Sequence, residues 1–193
     1  MILIWWAWFR EPGQNKARPV VLMTLAGAVA GVFVARWLEL VTPFRSRPLH
    51  AAVLGFRPPY GVPPNTLDGW SSFPSDHATL FFGLAAGLVL IEPWVGLAAL
   101  AYDVVVIAFP RAYLGLHYPT DLVAGALLGV AAVLVANQDP VRRRFAPWIL
   151  RFAERRPALF YAAFFGFTFE LATLFDEIRS SARFLLQLSR WPG

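Results

Sequence analysis

Apolar residues fall in blocks along this chain, and the charges gather between them. Pro19 to Leu40 is continuous enough to cross a hydrocarbon layer of about 30 Å, which takes about 20 helical residues. Arg36 and Glu39 stand near its end, where long side chains can reach the polar boundary. Ala78 to Ile91 is apolar but short. Glu92-Pro93 stops it, so it pairs with Trp94 to Phe109 as a tight helical hairpin. Asp121 to Ala136 predicts a fourth span, rich in the Gly and Ala that let helices approach closely in lipid. Leu159 to Phe175 predicts a fifth, interrupted by Glu170 and followed by Asp176, Glu177 and Arg179. Beyond it, Ile178 to Trp191 reads as an amphipathic helix lying on the membrane surface.

The opening stretch, Ile2 to Phe9 (ILIWWAWF), is only about half a membrane long. It lacks a basic region and a small-residue cleavage site, so we do not expect it to act as a secretory signal. It reads either as an interfacial anchor, with Trp5, Trp6 and Trp8 at head-group level, or as the remainder of a span that starts upstream. The blocks together predict an all-α fold, a polytopic transmembrane helical bundle of about five to six spans. We expect a single membrane-embedded domain, with a core at residues 19–137 and a C-terminal span and amphipathic tail at 158–193.

Composition supports this and narrows the chemistry. Hydrophobic residues make up 58% of the chain and charged residues 15%, where soluble domains carry roughly 25% charged. Cysteine is absent, which excludes a disulfide framework and thiolate chemistry. The net charge of +5 comes from arginine, with Lys16 the one lysine. The arginines sit between apolar blocks, so the expected partners are the bilayer and phosphate-bearing lipid, not nucleic acid. Under a five-span count, Arg10–Arg18 and Asn137–Pro157 form loops on one side, carrying Arg10, Lys16, Arg18, Arg142, Arg143, Arg144, Arg151, Arg155 and Arg156. The opposite loops hold Arg45, Arg47, Arg57 and Arg111, so the positive-inside rule makes the first side cytoplasmic. The expectation is a multi-pass inner (plasma) membrane protein.

Three polar stretches reach the outer face: FRSRPLH (Phe44 to His50), FPSDHA (Phe73 to Ala78) and PRAYLGLHYPTD (Pro110 to Asp121). They bring arginines and histidines to one depth, a set suited to an anionic tetrahedral group. Arg45, Arg47 and Arg111 offer planar forks of donors that never lose their charge. Ser75 and the N–H groups of the helix opening at Asp76 add neutral donors. With Pro119 in a first helical turn, Asp121 can reach back to the ring of His117 and leave its other nitrogen free as base or nucleophile. His77 is then placed to protonate a leaving oxygen.

These stretches resemble the signature of the type-2 phosphatidic acid phosphatase superfamily, which also includes the vanadium haloperoxidases. The family pattern is K-x6-R-P, then P-S-G-H, then S-R-x5-H-x3-D. Arg47-Pro48 matches the end of the first, Pro74-Ser75-Asp76-His77 the second, and Arg111-x5-His117-x3-Asp121 the third. The resemblance implies His117 as nucleophile forming a phosphohistidine, Asp121 as its orienting partner and His77 as general acid. It also implies Arg47, Ser75 and Arg111 around phosphate, and no metal or other cofactor. The PSDH form is similar to bacterial members that dephosphorylate undecaprenyl diphosphate. Phosphatidic acid, phosphatidylglycerol phosphate, a vanadate-dependent halogenation and phospholipid binding or transport without turnover remain alternatives.

Three positions depart from the pattern. Leu40 stands where the lysine falls, Asp76 replaces glycine and Pro110 replaces serine. Arg45 and Arg36 are candidate substitutes for the missing cation. Asp76 reads first as a helix-start cap or dipole partner and second as a group tuning His77. His50, Arg57 and Asp68 read as loop residues, and Glu170, Asp176 and Glu177 as a polar flank of the last helix.

Overall fold

The computed structural model describes residues 1–10, 16–59, 62–63 and 65–174. Its elements are α1 (Ile2–Phe9), α2 (Ala17–Val41), α3 (Asp76–Ile91), α4 (Pro93–Tyr102), α5 (Phe109–Tyr113), α6 (Pro119–Ala136), α7 (Asp139–Arg155) and α8 (Pro157–Ala172). A π-helical segment, Asp103–Ala108, joins α4 to α5, so Pro93–Tyr113 runs as one rod of 21 residues. That rod, α2 and α6 are long and apolar enough to cross a membrane; α3 and α8 are apolar but shorter. At 16 residues each, α3 and α8 are about 24 Å long. The chain is an all-α membrane bundle.

α2, α3 and α6 form the centre, packed through small residues. A Cβ on Gly125 would strike the carbonyl oxygen of Ser75, and one on Gly129 the carbonyl oxygen of Thr79. Glycine at these positions therefore sets how closely α6 approaches α3, the use that lipid-embedded helices make of small residues. At one end of the bundle lie the start of α3, the start of α6 and the loops after α2 and α5. Main-chain bonds tie that end together: Ser75 N–H to Asp121 C=O (3.1 Å), Ser72 N–H to Arg45 C=O (2.9 Å) and Leu49 N–H to Gly115 C=O (2.9 Å).

The opposite end shows how two stretches that the pattern left ambiguous or read as loop are packed. Ile2–Phe9 is a packed helix, with Trp8 buried among Phe160 and Phe164 and its indole N–H on the Tyr161 hydroxyl (3.2 Å). Trp5 likewise donates to Thr168 (3.1 Å), so α8 supplies the apolar and hydroxyl partners that an anchor would have sought in head groups. The supposed loop Asn137–Pro157 is mostly α7, an amphipathic helix. Ala146 is buried, Ile149, Leu150 and Ala153 pack on the core, and Arg143, Arg144, Arg151 and Arg155 are exposed. The predicted surface helix Ile178–Trp191 lies outside the described residues, as does the end of the predicted span at Phe175.

Candidate active site

His117 sits between α5 and α6, where Gly115 takes a left-handed turn (φ +69°). The main chain then folds back, with the N–H groups of Leu116 and His117 on the Arg111 carbonyl (3.0 and 3.3 Å). The ring is 5% exposed. Its Nδ1 lies 2.8 Å from the Ser72 carbonyl oxygen, an acceptor only, so Nδ1 carries the proton and Nε2 a lone pair. Nη1 of Arg47 stands 3.3 Å from that Nε2. Burial first, and then the charge of Arg47, lowers the His117 pKa to about 4, while the Ser72 contact and Asp76 act the other way. The resting ring is neutral.

Arg47 is buried and ordered by carbonyls: Nη1 donates to Leu116 (2.6 Å) and Nη2 to Ser71 (3.0 Å). Its buried Nε has no partner among the described residues. Burial pushes the guanidinium down from its ordinary value, and the charges of Asp76, Glu39 and Asp121 oppose that.

His77 opens α3. Its Nδ1 is 2.9 Å from Oδ1 of Asp76, and the same oxygen accepts the His77 backbone N–H (2.8 Å). Oδ2 of Asp76 pairs with Arg36, which also holds Glu39 (2.9 Å) and lies over the Trp70 ring (5.2 Å to the centroid). Capping of α3 falls to Ser75, whose Oγ accepts the Ala78 N–H (3.4 Å). Ser75 is fully buried and tied to α6. Asp76 thus holds both the His77 ring and the His77 N–H in the first turn of α3, while Ser75 is the cap.

Asp121 also differs from its expected placement. Pro119 does open α6, and Asp121 is fully buried, but its Oδ2 accepts the Tyr118 N–H (2.9 Å) and its Oδ1 faces Arg45 (2.5 Å). The ring of His117 is held by a carbonyl in its place. Arg45 reaches Thr120 Oγ1 (3.1 Å) and lies over the Tyr118 ring (4.3 Å), so it fastens the start of α6. Arg111 stands on α5 with one donor on the Ile107 carbonyl (3.2 Å). Leu40 is exposed at the mouth, and Arg36 and Arg45 are both engaged by carboxylates, so neither stands free in the role of the missing lysine. His50 ends a short 3-10 helix, Pro48–His50, in the connection after α2 and contacts the Thr66 carbonyl oxygen (2.9 Å). Among the described residues, no three His, Asp or Glu side chains are grouped to hold a metal ion.

The family model described as PAP2 superfamily matches residues 16–145, which includes each of these groups. The chain belongs to the PAP2 superfamily.

Among curated proteins it is similar to YbjG of Escherichia coli (strain K12), provisionally named an undecaprenyl-diphosphatase (46% identity over 67 residues, 34% of this chain). It is also similar to the bacitracin transport permease protein BcrC of Bacillus licheniformis (42% over 64 residues, 33% of this chain). A third relative is the lipid A 4'-phosphatase of Bacteroides thetaiotaomicron (43% over 63 residues, 32% of this chain). The matches cover 33%, 31% and 28% of those proteins, so the chain spans about a third of their length. No solved structure matches it.

Several groups of this PAP2 site carry no signal in the sequence. The carbonyls of Ser71, Ser72 and Leu116, which hold Arg47 and His117, are main-chain atoms that any residue supplies. Arg36 was readable as a cation, but its engagement with Asp76 depends on how α2 packs beside the start of α3.

Proposed function

We propose that this PAP2 protein is a lipid phosphatase that cleaves a phosphate from a membrane-held lipid through a phosphohistidine on His117. The observation that carries the reading is the state of His117: Nδ1–H committed to the Ser72 carbonyl, and the Nε2 lone pair faced by Arg47. The phosphate enters between Arg47, Arg111 and the start of α3, where N–H groups and the helix dipole favour an anion. Nε2 attacks the terminal phosphorus in line, its bond to the leaving oxygen breaks (the lipid oxygen of a monophosphate, the bridging oxygen of a diphosphate), and that oxygen takes a proton from Nε2 of His77. Neutral His77 then accepts a proton from water, whose oxygen attacks phosphorus. The P–N bond breaks, its electron pair returns to His117, and inorganic phosphate leaves. Phosphoryl transfer of this kind is mainly positioning and charge stabilisation.

The favoured substrate is undecaprenyl diphosphate, supported by the PSDH form and by the name given to YbjG. Arg36, Leu40, Phe44 and Trp70 line a cleft of about 390 Å³ beside the Arg36–Asp76 pair, an apolar-lipped seat for the start of a lipid tail. The site face is outward at the inner (plasma) membrane, since the arginines of α7 lie at the other end. The test is phosphate release by purified protein from a polyprenyl diphosphate and from phosphatidic acid, side by side, with and without a chelator. We expect turnover that survives the chelator, a preference for the diphosphate, and none from His117→Ala that still inserts and purifies as the parent does. Full activity in His117→Ala overturns the mechanism, and binding without release favours a phospholipid-binding or transport role.

A further inference from the structure

The carboxylate–imidazole pair of this site is formed by adjacent residues, Asp76 and His77, and the reaction as written gives Asp76 no part. Its Oδ1 receives the Nδ1–H of the ring (2.9 Å) and the backbone N–H of the same residue (2.8 Å). Its Oδ2 is held by Arg36, itself fixed by Glu39 (2.9 Å) and by the Trp70 face. A carboxylate gripped on both oxygens is fixed in place, and the side-chain cap of α3 is already supplied by Ser75. With Nδ1–H committed to Asp76, the proton that can be transferred sits on Nε2 of His77.

We propose that Asp76 is a positioning residue for the proton donor His77, and that Arg36 locks Asp76 in place. This rests on the phosphatase reading and adds to it a device at the glycine position of the family motif. Aspartate there brings no loose negative charge to the phosphate, because Arg36 and the His77 ring take up its two oxygens.

The test exploits leaving groups. The lipid alkoxide of a phosphate monoester such as phosphatidic acid departs only with a proton, whereas 4-nitrophenolate departs without one. Relative to the parent, Asp76→Ala should lose about 10²-fold in kcat/KM on phosphatidic acid and less than tenfold on 4-nitrophenyl phosphate, the range a general acid contributes. His77→Ala should show the same split, and the double variant should be no worse than His77→Ala alone. Arg36→Gln, which leaves both site histidines and the carboxylate in place, should show a weaker version. Equal losses on both substrates, or no loss on the lipid, would overturn the proposal. Nitrogen-15 spectra of the histidines read the ring directly: Asp76→Ala should move the His77 signals from the Nδ1–H form and leave His117 where it was. Unmoved His77 signals count against the proposal, whatever the rates. If His77→Ala and His117→Ala lose nothing on the lipid, the phosphatase reading itself fails. If they lose and the Asp76 variants do not, only this inference does.

Discussion

Arg47 and His117 meet over one lone pair: Nη1 of the guanidinium stands 3.3 Å from Nε2 of the ring, whose proton is on the far side with the Ser72 carbonyl. Under the proposed reaction, the arginine stands in the direction from which phosphorus would meet Nε2. An entering phosphate offers the guanidinium charged oxygens, a stronger partner than a neutral ring nitrogen. Under the proposed reaction, the group that holds phosphate would also uncover the atom that attacks it.

Lysine cannot reproduce this. Arg47 spans the Leu116 and Ser71 carbonyls and the ring with a planar fork, whereas an ammonium is a compact point charge. We expect Arg47→Lys to lower kcat/KM for the lipid phosphate by about 10²–10³, the cost of removing one donor from a transition-state anion site. Thermal unfolding in detergent should also show a loss of about 1–3 kcal/mol, since buried carbonyls lose their partners. Phosphate release and melting curves on one preparation check both.

The neutrality of His117 has a pH consequence. Burial and Arg47 lower its pKa from 6.5 to about 4. Between those values the unfolded chain binds a proton that the folded chain refuses. Stability from this group is therefore complete above pH 6.5 and falls as pH drops to about 4, by about 3 kcal/mol in all. With three histidines in the chain, nitrogen-15 spectra can follow each. His117 should keep its Nδ1–H neutral form down to about pH 4, and titration near 6.5 would contradict the buried, carbonyl-held ring.

How much of this was readable in advance divides along physical lines. The lipid-crossing rods were legible because long apolar runs have few other solutions, and so was the gathering of the three motif stretches at one end. α7 was not, because its arginines resemble a charged loop until Ala146, Leu150 and Ala153 are seen to share the packed side of a helix. α1 was left between an anchor and part of a longer span because half a membrane length of tryptophan suits a head-group layer as well as it suits α8. In the site, residue types were legible and pairings were not. Both carboxylates lie near histidines in sequence: Asp76 does hold its neighbour's ring, but Asp121 is taken by Arg45, from a distant segment.

The pairing of Asp121 with Arg45 can be measured. If the carboxylate acts by fastening Tyr118 and the start of α6, removing Arg45 and neutralising Asp121 break one clamp. Arg45→Ala combined with Asp121→Asn should then cost about as much in kcat/KM as the worse single change, the non-additivity of residues in one network. Were Asp121 to act on the His117 ring independently of Arg45, the two losses would multiply. Phosphate release from the two single variants and the double variant separates the cases.

The approach of α6 to α3 is the last relationship open to test, and it bears on the site because Ser75 and Asp121 are bonded across it (3.1 Å). A methyl at Gly129 or Gly125 meets backbone oxygen, which cannot turn aside as a side chain can. The helices must separate, and close interior packing makes such overfilling cost about 1–3 kcal/mol. Gly166, on α8, has open space where its Cβ would go. Gly129→Ala and Gly125→Ala should therefore lower the melting temperature in detergent, while Gly166→Ala leaves it unchanged. Gly125→Ala should also reduce turnover beyond its effect on stability, because it pushes at Ser75, the residue that caps the helix carrying Asp76 and His77. Gly129 lies one turn further from that end, so its substitution should cost stability more than rate. The ratio of the two effects in the two variants reports whether the spacing of these helices, and not only the identity of the motif residues, sets the geometry around His77 and His117.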